Sequence, residues 1–201
     1  MSQSHFSPSP ASSFSPSIGS PISFVLSLVA IVLMIPISAA AQQDVHASLV
    51  PKAERKNAPP FHLVSSDGKT DQLSDFKGKI VLLNFWSTGC GGCVLEIPSF
   101  IEIQRKYGNR HFTAVGISAD IPYEGLKSPE EAWQKVHPFI VKHQVNYPIV
   151  MGDKAIISAY GFESYPATYL IDRLGHIAAT YVGVVSKEDV ESNIAKLLAE
   201  R

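Results

Sequence analysis

Both cysteines of the chain fall in one four-residue unit, Cys90-Gly91-Gly92-Cys93, directly after the apolar run Ile80-Val81-Leu82-Leu83-Asn84-Phe85-Trp86. A buried strand that delivers a Cys-x-x-Cys to the start of a helix narrows the choice of fold and of chemistry together. A helix brings residues three apart onto one face, so the second sulfur can attack a mixed disulfide formed on the first. The pattern predicts a strand over Lys79 to Trp86 and a helix after Cys93. Leu95, Phe100, Ile103 and Tyr107 line one side of that helix, and Pro98 inside it removes a hydrogen bond and should bend it.

With 201 residues, 45% hydrophobic and 17% charged, the chain suits one globular domain plus additional sequence. A net charge of -1 without a basic stripe leaves no electrostatic footprint for nucleic acid, which is not expected as a partner. Met1 to Ser20 is rich in Ser and Pro and lacks Lys and Arg, so residues 1–20 are expected to be disordered. In residues 21–41, the uncharged run Ile22 to Ile37 leads into Ser38-Ala39-Ala40-Ala41-Gln42. Small residues at Ala39 and Ala41 fit a signal peptide cut before Gln42, and the same run could remain as a membrane anchor or fold as a buried helix. The nearest cations, Lys52, Arg55 and Lys56, follow the run instead of preceding it, which runs against a secretory signal. Export is still the expectation, with an extracytoplasmic location in the periplasm or cell envelope. Residues 42–59 are polar and contain proline and read as a flexible linker. The folded domain is expected over residues 60–201.

Within it, Phe61 to Val64 and Lys69 to Leu73 flank the turn signal Ser65-Ser66-Asp67-Gly68 and predict a short hairpin. Strands are expected at Phe112 to Ser118, Tyr147 to Met151, Thr168 to Asp172 and Ile177 to Val184. Ser128-Pro129-Glu130-Glu131 starts a helix to about His143, Lys154 to Tyr160 forms another, and Ser186 caps a last helix through Leu198. Strands alternating with helices imply an α/β fold, a central mixed β-sheet flanked by helices on both faces, with an N-terminal β-hairpin and a central αβ insertion.

At a helix start, unpaired N–H groups, the helix dipole and the second thiol can each lower the pKa of Cys90. Since the thiolate is the nucleophile, Cys90 is the expected attacking sulfur and Cys93 the resolving one. A zinc site would have to recruit two further ligands from His62, His111, His137, His143 or the acids, and a purely structural disulfide is the other alternative. No metal and no cofactor are expected. His137 and His143 lie six residues apart, share a helix face poorly, and read as surface or partly buried groups. Trp86, Phe85 and Phe112 read as core.

The segment Phe85-Trp86-Ser87-Thr88-Gly89-Cys90-Gly91-Gly92-Cys93-Val94-Leu95-Glu96-Ile97-Pro98 resembles the active-site segment of the thioredoxin-like TlpA/ResA group of extracytoplasmic thiol-disulfide oxidoreductases. Two further stretches carry the likeness. They are Asp67-Gly68-Lys69 with Leu73 to Lys79, and Gly161 to Asp172. The resemblance implies a thioredoxin-like fold from about Phe61 onward, with Pro166 as a cis-proline facing the dithiol and Tyr165 offering backbone groups to an extended substrate. It implies a disulfide-containing protein as substrate, apocytochrome c being one candidate, and an upstream membrane thiol carrier as electron donor. Glu96, close to the family's acidic position, is either a carboxylate that modulates thiol protonation or a solvated helix-surface acid. Asn84 cannot titrate where thioredoxin itself has a buried Asp, so Glu96 is the candidate acid. The chain departs from the family at Gly89, where a bulky Trp is usual, and at Gly92, where Pro is usual. Both glycines add backbone freedom, so a more mobile loop is expected, with a redox potential that cannot be borrowed from relatives. Competing readings are a peroxiredoxin-like thiol peroxidase, with Ser87 three before Cys90 but Leu83 where that motif has proline, and a non-enzymatic peptide-binding or copper-delivery module.

Overall fold

In the computed structural model, which describes residues 44–200, the central apolar run forms β3 (Ile80–Trp86) with every residue buried. Successive side chains point to opposite faces of a strand, so Ile80, Leu82 and Trp86 enter one core while Val81, Leu83 and Phe85 enter another. A central strand covered on both faces needs this two-sided apolar character. β3 pairs in parallel with β4 (Phe112–Ser118), and β4 in parallel with β5 (Ile149–Met151). On its other side β3 pairs antiparallel with β6 (Ala167–Ile171), which pairs antiparallel with β7 (Ile177–Val182). The resulting order, β5-β4-β3-β6-β7, is the expected mixed sheet.

Parallel neighbours require crossovers. α1 (Gly91–Tyr107) joins β3 to β4, and α2 (Asp120–Glu124) followed by α3 (Pro129–His143) joins β4 to β5. α4 (Lys154–Tyr160) leads to β6, and α5 (Lys187–Ala199) follows β7. Phe100, Val136 and Ile194, from α1, α3 and α5, fill the first core. Ile156 and Tyr160 of α4 fill the second, together with Phe61 and Leu63. The caps read from sequence form as expected: Ser128 Oγ accepts the Glu131 N–H at 3.2 Å and Ser186 Oγ that of Asp189 at 3.3 Å. α1 is a single helix that contains Pro98. β1 (His62–Val64) and β2 (Thr70–Gln72) form the antiparallel hairpin as a separate two-stranded sheet. The short α2 has no counterpart among the elements expected from the sequence.

Residues 44–59 correct the expectation of a flexible linker. Val45 N–H donates to Val184 O at 2.7 Å, Val50 N–H to Ala178 O at 2.8 Å, and Ala58 N–H to Gly175 O at 2.9 Å. Asp189 accepts the Ala47 N–H, and Asn193 donates to Ala47 O. Arg55, with only 2% of its side chain exposed, pairs with Asp172 at 3.1 Å and with Glu200 at 2.6 Å. The polar character that suggests a tether in isolation is thus satisfied by partners far along the chain. Arg55→Ala is expected to cost about 3 kcal/mol of unfolding free energy, because it removes the cation paired with the buried Asp172 carboxylate, which keeps only the Leu174 and His176 N–H groups and the His176 ring nearby. Urea denaturation reads this directly, and an unchanged midpoint would show that the Arg55 ion pairs add nothing to the segment's other hydrogen bonds.

The expected signal or anchor at residues 21–41 and the expected disordered stretch 1–20 lie outside the described residues. Among the described residues, no helix is long and apolar enough to cross a membrane.

Candidate active site

Three segments converge at the C-terminal end of β3, and strand register explains why. Phe85 pairs with Ala167, which brings Pro166 alongside the last residue of β3. Trp86 pairs with Ser118 at the end of β4, and the Ala119 N–H donates to Trp86 O at 2.7 Å, so α2 starts beside the same loop. The loop itself runs through Ser87, Thr88 and Gly89 into Cys90, the N-cap of α1. In a parallel-sheet core, this end of the strands is where loops gather to form sites.

Cys90 and Cys93 are joined by a disulfide with 5.3 Å between their Cα atoms. Cys90 has extended backbone dihedrals, as an N-cap requires, and its Sγ accepts the Cys93 N–H at 3.2 Å. The sulfur therefore takes the place of the hydroxyl or carboxylate that usually caps a helix. The same N–H would stabilise a Cys90 thiolate after reduction. Cys90 is 4% exposed and Cys93 is fully buried, which leaves the first sulfur as the one nearer solvent.

The Tyr165–Pro166 bond is cis. A Cβ on Gly92 would meet Pro166 Cδ at 3.3 Å and Val184 Cγ2 at 3.2 Å, so the first turn of α1 lies directly against the proline. Glycine at this position allows that close approach. The Tyr165 ring packs edge-on against Tyr123 of α2 at 5.1 Å and against Phe162 at 5.0 Å. Burial raises the Tyr165 hydroxyl pKa to about 12, with Tyr123 adding to the shift. Tyr123, 47% exposed, and Leu95, 62% exposed, leave apolar surface open to solvent on α2 and α1.

Glu96, one turn beyond Cys93, is 2% exposed. Glu96 is thus not the solvated helix-surface acid that was one of the two expectations for it. Its Oε1 accepts the Val185 N–H at 2.7 Å, and its Oε2 accepts from Asn84 Nδ2 at 3.4 Å. Burial raises its pKa to about 8; the Val185 and Asn84 hydrogen bonds oppose the shift, and the charge of Asp44 adds to it. Asn84 also donates to Thr168 Oγ1 at 3.0 Å, tying the acid to the strand that follows Pro166. Val45 holds the Val184–Ser186 loop through its N–H, which donates to Val184 O, and through its carbonyl, which accepts from the Ser186 N–H.

α2 supplies residues that sequence reasoning missed. Asp120, fully buried, accepts the Thr88 N–H at 3.1 Å, the Thr88 hydroxyl, and the Ser118 hydroxyl at 2.8 Å. Glu124 accepts from Ser87 Oγ at 3.2 Å. The available signal was two acids four apart directly after a buried strand, a spacing that puts them on one helix face.

The AhpC/TSA family model matches residues 55–180. The thioredoxin-like protein YneN of Bacillus subtilis is 33% identical over 141 residues, covering 70% of this chain and 78% of that protein. The thiol-disulfide oxidoreductase ResA of Bacillus cereus is 30% identical over 176 residues, covering 85% of this chain and 95% of that protein. Among solved structures, a thiol:disulfide interchange protein of the thioredoxin family from Chlorobium tepidum matches with a TM-score of 0.63 and 28% identity, over 74% of this chain and all of that one. With a dithiol capping a helix opposite a cis-proline, and with relatives of this kind over most of its length, the chain belongs to the AhpC/TSA family and is a thioredoxin-like thiol-disulfide oxidoreductase of the ResA type.

Proposed function

We propose that this enzyme reduces protein disulfides outside the cytoplasm, through attack by Cys90 and resolution by Cys93. The observation that carries the reading is the difference between the two sulfurs. Cys90 sits at the helix cap, nearer solvent and hydrogen-bonded by the Cys93 N–H, whereas Cys93 is fully enclosed one turn inside. The Cys90 thiolate attacks one sulfur of the substrate disulfide and displaces the other as a thiolate. Cys93, after losing its proton, then attacks Cys90 Sγ, which releases the second substrate thiolate and closes the Cys90–Cys93 bond. A dithiol donor, expected at the membrane, returns two electrons and two protons to start the next cycle.

Glu96 is the proposed acceptor of the Cys93 proton. A carboxylate whose pKa burial raises to about 8 can take up a proton near neutral pH, as a general base for the resolving thiol must. Tyr165 and Pro166 are the proposed substrate rest: proline has no N–H to spend on internal pairing, and the Tyr165 ring borders the open surface of Tyr123. The extracytoplasmic location rests on the apolar run Ile22 to Ile37 and the small residues after it. Apocytochrome c, with paired cysteines that must be reduced, is the proposed physiological substrate within this class.

The test is a trap. Cys93→Ser leaves the attacking sulfur and removes the resolving one, so mixed disulfides on Cys90 should accumulate in cells and be released by dithiothreitol. Absence of any such adduct, with the variant expressed and folded, would count against the assignment of the two sulfurs.

A further inference from the structure

Gly89 stands immediately before Cys90, and no left-handed backbone angle requires glycine there. The space a Cβ would take is filled instead by the far end of a side chain from α2. A Cβ on residue 89 would overlap Glu124 Oε1, and Glu124 Cδ lies 2.8 Å from where that Cβ would stand. One bond and one Cα step further, the carboxyl carbon is within about 8 Å of the Cys90 Cα. The carboxylate is held from two sides. Oε1 accepts from Ser87 Oγ at 3.2 Å, and Oε2 pairs with Lys135 Nζ of α3 at 2.9 Å. Ser87 Oγ in turn accepts the Gly89 N–H at 3.2 Å. Lys135 holds the Glu124 carboxyl below the usual range, so it is charged at neutral pH.

We propose that Glu124 is a positioning residue for the dithiol: seated in the space left by Gly89, it fixes residues 87–89 and sets a negative charge beside Cys90 that disfavours the thiolate. The proposal rests on Cys90 being the attacking sulfur. It converts the missing side chain at residue 89 into a device, since the absence of a Cβ admits a carboxylate from a different element. Other groups share this region. α2 also presents Asp120, whose oxygens are taken by Thr88 and Ser118, and α1 presents Glu96, buried and three residues after Cys93. α3 presents Lys135 with one side of its charge committed to Glu124. The loop before β6 presents Tyr165, with Glu163 exposed two residues earlier. Against these, the N–H groups of the first turn of α1 favour the thiolate. Glu124 is the charged side chain built into the approach to Cys90 itself, so its removal should tilt this balance.

Redox consequences follow by linkage. Two glutathione thiols and the protein disulfide exchange to give the protein dithiol and glutathione disulfide, with electrons and protons balanced. A charge that disfavours the thiolate raises the free energy of the reduced form above the thiol pKa, and its removal should favour the dithiol there.

The experiment is a pH profile of iodoacetamide alkylation, with the modified cysteine identified by mass, together with glutathione equilibration at pH 9. Glu124→Gln should lower the apparent pKa of Cys90 by about 0.5 to 1 unit, a like-charge interaction across several ångströms near the surface. It should shift the glutathione equilibrium about three- to tenfold toward the dithiol. Lys135→Met, which unmasks the carboxylate, should move both quantities the opposite way, and it carries the test if Glu124→Gln does not fold. Gly89→Ala should expel the carboxylate and reproduce the Glu124→Gln shift, and the double variant should add nothing further. An unchanged profile in both Glu124→Gln and Lys135→Met, a shift of opposite sign, or additivity of the double variant overturns the proposal. If Cys93 is alkylated before Cys90 in every variant, the assignment of the attacking sulfur has failed. If Cys90 reacts first with an unmoved profile, only the role of Glu124 has failed.

Discussion

Cys90→Ser is expected to lower the rate of disulfide reduction by more than about 1000-fold, to the level of the uncatalysed exchange with the added reductant, because the nucleophile is removed outright. A serine hydroxyl stays protonated under the conditions in which the thiol ionises, and an oxygen cannot form the mixed disulfide through which the exchange runs. The insulin-precipitation assay measures this directly. Stability must be compared with the reduced wild type, since the substitution also removes the Cys90–Cys93 bond. For so short a loop that bond is worth only about 2 kcal/mol in the chain-entropy account. The variant should therefore fold, and its inactivity can be assigned to lost chemistry. Retention of more than a tenth of wild-type activity would sink the nucleophile assignment, since Cys93 is enclosed and has no route to substrate of its own.

Glu96→Gln is expected to cost about 100-fold in turnover near neutral pH, in the usual range for loss of a general acid–base group. The amide keeps the shape of the acid and an oxygen to accept the Val185 N–H, but it carries no proton to exchange. A base must be ionised to act, so the wild-type rate of the resolving step should rise with pH through about 8, and the variant should lack that limb. Stability supplies an independent reading with a fixed sign. The folded carboxyl titrates near 8 and the unfolded one near 4.3. Between those values the native state binds more protons than the unfolded state, so stability falls as pH rises. The slope approaches about 1.4 kcal/mol per pH unit and flattens below and above the window. Gln resembles the protonated acid, so Glu96→Gln should match the wild type near pH 4 and exceed it near pH 9 in urea denaturation. Parallel stability curves for the two proteins, with parallel rate profiles, would mean that Glu96 does not titrate in this range.

The sheet and most of its helices were legible in the sequence because each is encoded locally. Seven consecutive residues suited to burial announce β3, and Ser128-Pro129 with two following acids announces α3. The strand expected from Tyr147 begins at Ile149, a shift of the size common at element ends. Residues 44–59 were not legible, since their partners are distant. Arg55 meets Asp172 and Glu200 across separations of 117 and 145 residues, and no window around Arg55 contains that information. α2 was missed for a related reason. A helix of five residues has no apolar period long enough to read, and its meaning comes from Thr88 and Ser87 on the neighbouring loop.

One dithiol, a buried strand leading into it, and a second sulfur one helical turn from the first can all be read from the residues in order. These follow from residue spacing and local periodicity, which act over a few bonds. The enclosure of Glu96 emerges only on folding, because its Val185 partner comes from a loop 89 residues away. So do the approach of Pro166, just before β6, to Gly92 and the carboxylate from α2 that fills the space beside Gly89. The identity of a reactive group is local, whereas its proton affinity is set by dielectric and charge, and those come from whatever parts of the chain fold around it.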